Sequence, residues 1–313
     1  MIGSEGWLDL GLPWARSALL QREHPWEKGQ TGPRAAVLRD DPEAMRFPPL
    51  PDDRDRARDH AVAPGLYRYR LDIAYVGTGF GGWQRQPNAE TVQEKLEEAL
   101  GDLVGERVAV VGASRTDAGV HAHAQVAHAD LTQPFSSRGL VFGANHRLPR
   151  SIRILAATLA PEGFHARFST TAKEYAYRVH PGRFVPPERA FFVLAVPDRL
   201  DLQELRAATL RLPGKHDFSC FALAGGSHRS PVRTVFRAAW ENESAGLTLR
   251  VVGDGFLRGM VRGLVGTLLE VALGQRSVAS FATLLEGGER GAAGPTAPAH
   301  ALSLERIDYR TPA

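Results

Sequence analysis

The stretch Tyr67-Arg68-Tyr69-Arg70-Leu71-Asp72-Ile73-Ala74-Tyr75 alternates large apolar side chains with charged or small ones along its whole length. A period of two places every second side chain on the same face, which is typical of a β-strand with one buried face. We therefore predict that this stretch is a strand and that the ordered part of the chain begins with it.

A glycine-rich turn, Gly77-Thr78-Gly79-Phe80-Gly81-Gly82, follows this strand. A helix is then predicted to begin at Thr91, because Thr91 and Glu94 have the spacing of a capping box. Farther along, two strands are predicted at 108–111 and 122–129, with a polar loop between them. The second half is predicted to begin near Ser169, with strands at 173–179, 234–240, 247–252 and 302–309 and helices at 202–212 and 256–273. Strands and helices do not alternate regularly, which favours an α+β fold over a doubly wound sheet.

Charge and composition indicate an ordinary globular protein with a tail. The 313 residues include 38 basic and 35 acidic side chains, for a net charge of +3. Residues 1–64 are rich in proline and in the charges of both signs, and we predict that they form a poorly structured extension. The remainder is mildly basic, which fits a polyanionic partner without requiring one.

The single cysteine, Cys220, excludes an intramolecular disulfide, which suits the reducing cytoplasm. Its apolar neighbours favour a buried side chain over a nucleophile. The longest apolar run, 256–273, is interrupted by charges, so no membrane span is predicted. No signal peptide is predicted at the N-terminus. We therefore expect a cytoplasmic protein.

The polar loop Ala113-Ser114-Arg115-Thr116-Asp117-Ala118-Gly119-Val120-His121-Ala122 contains the main candidate for chemistry. A carboxylate such as Asp117, placed between two strands, can act as a nucleophile or a general base. A loop aspartate is more often a turn or capping residue. The loop alone does not decide between these interpretations.

Several motifs in order resemble the tRNA pseudouridine synthase A family over roughly residues 65–313. The string Arg115-Thr116-Asp117-Ala118-Gly119-Val120-His121 resembles the signature of that family, whose aspartate is its nucleophile. The other matching segments are 77–86, 91–93, 164–169, 173–178, 214–219, 230–234, 256–262 and 296–298. The resemblance implies a pseudouridine synthase fold with two related halves, 65–168 and 169–313, flanking a basic cleft.

The resemblance also implies roles for individual residues. Asp117 matches the catalytic carboxylate, Tyr175 the active-site tyrosine, and Arg262 the arginine that pairs with the aspartate. Arg115 matches the arginine that helps to displace the target base.

We also predict Arg85 and Arg258, which lie in matching motifs, as RNA-binding residues, and Leu302 as an apolar residue that packs near the base. Three positions depart from the family pattern, namely Val76, Ala124 and Ala301.

The implied reaction isomerises uridine to pseudouridine at positions 38 to 40 of the anticodon stem-loop of tRNA. A homodimer is implied, together with tRNA as the partner. The reaction involves no net redox change, so we expect no cofactor, no nucleotide cofactor and no metal. The sequence does not decide whether Asp117 attacks C1′ of the ribose or C6 of the base.

Two other functions have weaker support. The segment 77–82 satisfies the dinucleotide-binding pattern G-x-G-x-x-G, but that motif requires a helix to begin at once. A non-catalytic RNA-binding protein would use the same basic and aromatic residues, but it would not need a carboxylate in a phosphate-facing cleft. His121, His123 and His128 lack the accompanying ligands of a zinc site. Tyr175 could also be a simple core residue of its strand.

Overall fold

The computed structural model describes residues 62–226, 229–243 and 246–310. Residues 1–61 lie outside this part, and with them nearly all of the predicted N-terminal extension. The ten strands are β1 (Tyr67–Tyr75), β2 (Val110–Gly112), β3 (His121–Leu131), β4 (Ile152–Leu159), β5 (Thr170–Pro181), β6 (Leu194–Val196), β7 (Gly214–Asp217), β8 (Val232–Glu243), β9 (Gly246–Gly253) and β10 (Leu302–Tyr309).

All ten strands belong to one sheet. Eight of them follow the order β4-β1-β3-β10-β5-β9-β8-β7, while β2 pairs with β3 and β6 pairs with β5. The strand β10 is parallel to β3 and antiparallel to β5, so the last strand of the chain joins strands from both halves of the sequence. The sheet contains both parallel and antiparallel pairs, and strands and helices do not alternate regularly along the chain. This arrangement is an α+β fold, as predicted.

Within the described residues, five α-helices accompany the sheet. They are α1 (Val92–Val104), α2 (Ser137–Arg147), α3 (Leu202–Thr209), α4 (Met260–Ala272) and α5 (Val278–Thr283). The predicted start of α1 is confirmed, because the side chain of Thr91 accepts a hydrogen bond from the backbone N–H of Glu94 at 3.3 Å. Its apolar face is buried, as the periodicity required.

The helix predicted over 256–273 begins later than expected. It starts at Met260, and Gly259 before it has a φ of +69°, in the left-handed region that favours glycine. Arg258 therefore lies in a turn, and its carbonyl accepts a hydrogen bond from the backbone N–H of Leu223. The apolar run misled the prediction because hydrophobicity does not reveal where the backbone turns.

None of the helices in the described part of the chain is long and apolar enough to span a membrane. The helices pack instead over the apolar side chains of the sheet, and one continuous core extends through both halves of the sequence. In this core Leu304 of β10 is fully buried, at 0% exposure.

Replacing Leu304 by alanine is expected to lower the free energy of unfolding by about 2–5 kcal/mol, because it leaves a cavity in the middle of the sheet. Urea denaturation followed by circular dichroism would measure the change. Leu210→Ala is the matched control, since that leucine is 74% exposed. We expect it to cost less than about 0.5 kcal/mol. Equal losses in the two variants would contradict the assigned packing.

Candidate active site

In the loop between β2 and β3, successive side chains alternate between buried and accessible positions. Ser114 and Thr116 are buried, whereas Arg115 is exposed and the Asp117 side chain keeps 17% of its surface accessible. The two buried residues anchor the loop, and the residues that alternate with them, Arg115 and Asp117, are the accessible ones.

A buried polar network holds the anchored side of this loop. The Gln125 amide donates to the carbonyl oxygen of Ser114 at 2.7 Å and accepts from the N–H of the same residue at 3.2 Å. The hydroxyls of Tyr75 and Thr116 are hydrogen bonded at 2.8 Å. Because buried polar groups are costly to leave unpaired, this network fixes the conformation of the loop.

The glycine-rich turn after β1 supports the loop from another side. Gly82 has a φ of +101°, and a Cβ on it would lie 2.7 Å from the carbonyl oxygen of Thr116. That same carbonyl accepts a hydrogen bond from the backbone N–H of Trp83 at 3.1 Å. Only glycine combines this backbone angle with such a close approach. The turn therefore packs against the Asp117 loop, and the helix that follows it begins only at Val92.

Arg262, in the first turn of α4, reaches Asp117 across a large sequence separation. Its Nη1 lies 3.1 Å from Oδ2 of Asp117, and its Nε donates to the carbonyl oxygen of Ala297 at 2.7 Å. The N–H of Ala297 in turn donates to the carbonyl oxygen of Arg262. These contacts hold the guanidinium so that it presents a positive charge to the carboxylate.

Tyr175 reaches the same loop from β5. Its hydroxyl is hydrogen bonded to Oγ of Ser114 at 2.9 Å, and its ring lies nearly perpendicular to that of Phe256, with centroids 5.2 Å apart. Burial raises the pKa of Tyr175 to about 12; the Ser114 hydrogen bond opposes this shift, and the charge of Asp117 adds to it. The phenol is therefore protonated at neutral pH.

The register of β10 explains why these residues meet. Leu304 pairs with Tyr175 on one side and with Ala122, near the start of β3, on the other. The Asp117 loop leads directly into β3, so this register brings Tyr175 to the loop. Leu302 pairs with Tyr177 and is buried in the core, with 5% of its surface exposed.

The other predicted residues lie around this centre or away from it. Arg115 is exposed beside the centre. Burial is the main cause of the lowered pKa of Arg167, and the charge of Arg115 adds to it. Arg85 is engaged elsewhere, with its Nε donating to Oε2 of Glu97 on α1 at 2.8 Å. Arg258 is exposed and donates to the carbonyl oxygen of Ala224.

The histidines serve structural contacts. The backbone N–H of Gly77 donates to Nδ1 of His121, so Nε2 of that ring carries the proton and faces the carbonyl oxygens of Phe191 and His300 at 3.0 Å each. Burial lowers the pKa of His121. Within the described residues, no group of three histidine, cysteine or acidic side chains could hold a metal ion. Cys220 is buried, as predicted.

Comparison with known families shows which family the chain belongs to. The model of a family described as "tRNA pseudouridine synthase" matches residues 73–169 and 208–310. The chain belongs to the tRNA pseudouridine synthase family. Members of this family are isomerases. Asp117 lies in the first matched range, Arg262 and Leu302 lie in the second, and Tyr175 lies between them.

The alignments with individual relatives cover nearly the whole length of each relative. A tRNA pseudouridine synthase A of Shouchella clausii is 40% identical over 248 residues, which is 79% of this chain and 95% of the relative. A relative of the same name in Syntrophotalea carbinolica is 42% identical over 77% of this chain and 95% of its own length. The Bacillus subtilis relative is 38% identical over 77% and 99% of the two chains.

Among solved structures, a chain of a Cbf5–Nop10–Gar1 complex aligns over 75% of this chain and 48% of its own length. The TM-score is 0.30 and the identity 12%, values too low to bear on the fold.

Sequence reasoning missed the residues that support the centre. Ser114 and Thr116 stood in the quoted loop without a role, and Gln125 and Tyr75 were counted only as strand residues. The alternation of small hydroxyl residues with Arg115 and Asp117 was the available signal, but only the packed structure shows which side faces the core.

Gly82→Ala is expected to displace the Asp117 loop and to lower enzymatic activity strongly, because its Cβ would collide with the carbonyl of Thr116. The matched control is Gly79→Ala, where φ is +88° but a Cβ would meet nothing within 4 Å. We expect the control to cost only the backbone strain of about 1–2 kcal/mol. Thermal unfolding and pseudouridine formation would be measured for both variants. Similar activities in both would show that the contact with Thr116 is unimportant.

Proposed function

We propose that this chain isomerises uridine to pseudouridine in tRNA, at positions 38 to 40 of the anticodon stem-loop. The observation that carries the proposal is the pairing of Asp117 with Arg262 beside the Tyr175 hydroxyl, inside a chain of the tRNA pseudouridine synthase family. The target uridine must leave the base stack, since its glycosidic bond is otherwise inaccessible.

Asp117 is the proposed nucleophile. Its side chain keeps 17% of its surface accessible, and the guanidinium of Arg262 balances its charge. Attack occurs either at C1′ of the ribose or at C6 of the base. In attack at C1′, the bond between N1 and C1′ breaks as the Asp117–C1′ bond forms, the uracil rotates, and C5 displaces the carboxylate from C1′. In attack at C6, the N1–C1′ bond breaks after the Asp117–C6 bond has formed, the uracil rotates, C5 bonds to C1′, and the Asp117–C6 bond is then released. In either case C5 loses a proton and N1 gains one. Atoms and electrons balance within the substrate, so the scheme requires no cofactor and no metal.

Tyr175 is the proposed partner of the base. Its protonated phenol lies at the buried end of the site, where its ring can stack on the uracil and its hydroxyl can take part in proton transfer. The Ser114 hydrogen bond sets the orientation of the hydroxyl.

The proposed RNA surface is a basic cleft between the halves 65–168 and 169–313. The first half carries Asp117, and the second carries Tyr175 and Arg262. Arg115, Arg85 and Arg258 would meet phosphates, which position RNA without reading its sequence. Leu302 would pack near the displaced base. A cytoplasmic homodimer completes the proposal, on the strength of the family resemblance.

A non-catalytic RNA-binding role is the alternative from another class. A carboxylate in a phosphate-facing site repels the ligand, which makes Asp117 a cost for a protein that only binds RNA. The enzymatic proposal explains why Asp117 is held in place by Arg262.

Asp117→Asn is expected to lower pseudouridine formation by at least about 1,000-fold, because the amide is a poor nucleophile. Mass-spectrometric mapping of a uridine-containing anticodon arm would locate the product, and gel-shift titration would show RNA binding retained. Asp102→Asn, an exposed change on α1, is the matched control and should be fully active. Product formation by the Asp117 variant would remove Asp117 as nucleophile.

Arg262→Lys is expected to lower kcat by about 10- to 100-fold, because one ammonium cannot reproduce the forked contacts to Asp117 and Ala297. Arg258→Lys, only four residues away, keeps the positive charge that phosphate binding needs and should change kcat by less than about 3-fold. Single-turnover kinetics at saturating RNA would give both values. Equal kcat values in the two variants would argue against the proposed role of Arg262.

A further inference from the structure

Lys173 is a partly buried basic side chain that the reaction scheme above does not use. It lies on β5 two residues before Tyr175, so the two side chains project from the same face of the strand. Its Nζ donates to the carbonyl oxygen of Ala113 at 2.7 Å. Tyr175 is hydrogen bonded to Ser114, the next residue of the chain. Successive same-face side chains of β5 thus hold successive residues of the Asp117 loop.

This arrangement connects the two halves of the sequence at the point where the site is assembled. The loop comes from the first half and β5 from the second, and the lysine contact lies one residue before the Ser114–Tyr175 hydrogen bond. A shift of the Ala113 carbonyl would carry Ser114 with it, and hence the orientation of the Tyr175 hydroxyl. Displacements of this kind on the order of 1 Å can cost an enzyme about 100-fold in rate.

We propose that the ammonium of Lys173 is a positioning group for the reaction, which holds the Asp117 loop in register with Tyr175. The proposal rests on the function assigned to Asp117 above. It does not place Lys173 against the substrate, since its donor is directed to a backbone carbonyl.

The surroundings of Lys173 make its protonation state sensitive to pH. The pKa of Lys173 is lowered to about 8, mainly by burial and to a smaller extent by the positive charges of Arg167 and Arg233, while Asp254 opposes the shift. These three charged groups face the lysine from the segment before β5, from β8 and from the end of β9. The ammonium is therefore present at neutral pH and is lost as the pH rises through about 8. The arrangement consequently predicts an alkaline limit of activity.

The test compares Lys173→Met, Lys173→Arg and wild type. Pseudouridine formation on an anticodon-arm RNA would be followed from about pH 6 to about pH 10, with kcat and KM determined separately. Lys215→Met is the matched control, because Lys215 is exposed. Labelling with ¹³C-lysine gives four signals in this chain, which contains only Lys28, Lys95, Lys173 and Lys215. The Lys173 signal is the one absent from the arginine variant.

We expect wild-type kcat to fall with a midpoint that matches the titration of the Lys173 signal, near pH 8. Lys173→Arg should move this limit upward, because arginine stays charged. Lys173→Met should lower kcat by about 10- to 100-fold at every pH, with KM changed by less than about 3-fold.

Three results would overturn the proposal while leaving the function intact. They are wild-type kcat in Lys173→Met, an unchanged alkaline limit in Lys173→Arg, and a loss confined to KM, which would make Lys173 an RNA contact. If Lys173→Met does not fold, the position of the alkaline limit in Lys173→Arg tests the proposal by itself. A wild-type protein that makes no pseudouridine would instead refute the proposed function itself.

Discussion

The pairing of β10 with both β3 and β5 is the constraint on which the rest of the structure depends. The strand comes from the end of the chain, yet it lies in the middle of the sheet and joins strands from the two halves. A change of register by one residue would turn the Tyr175 side chain away from the Asp117 loop, because side chains alternate between the faces of a strand. The position of the candidate site is thus a consequence of strand pairing.

Around this constraint, the site is supported by side chains that contact the Asp117 loop. Gln125, Tyr75 and Lys173 hold the backbone and the buried hydroxyls of the loop. Gly82 lets the preceding turn approach the loop closely. Asp117 and Arg115 are presented because their neighbours in the chain are anchored. Such preorganisation supplies much of the catalytic effect in enzymes, since little reorganisation remains for the reaction step.

The electrostatic balance of the site is local rather than global. The net charge of the chain is only +3, but the charges near the loop are arranged in defined contacts. Arg262 balances Asp117 at 3.1 Å, whereas Lys173 lies near two arginines that disfavour its charged form. The charges near Asp117 are therefore set by these individual contacts and not by the net charge of the chain.

The sequence by itself determined the first strand and the start of the first helix, and its resemblance to a known family pointed to Asp117, Tyr175 and Arg262. Alternation at Tyr67–Tyr75 and the cap at Thr91 have local physical causes, so both were predictable. Weakly patterned elements such as α2, where only Leu140 and Ala144 are buried, were not predicted. The tertiary structure alone decided the strand order, the turn at Gly259, and the contacts of Lys173 and Gln125. These features depend on groups far apart in the chain, and no local pattern records which of them will meet.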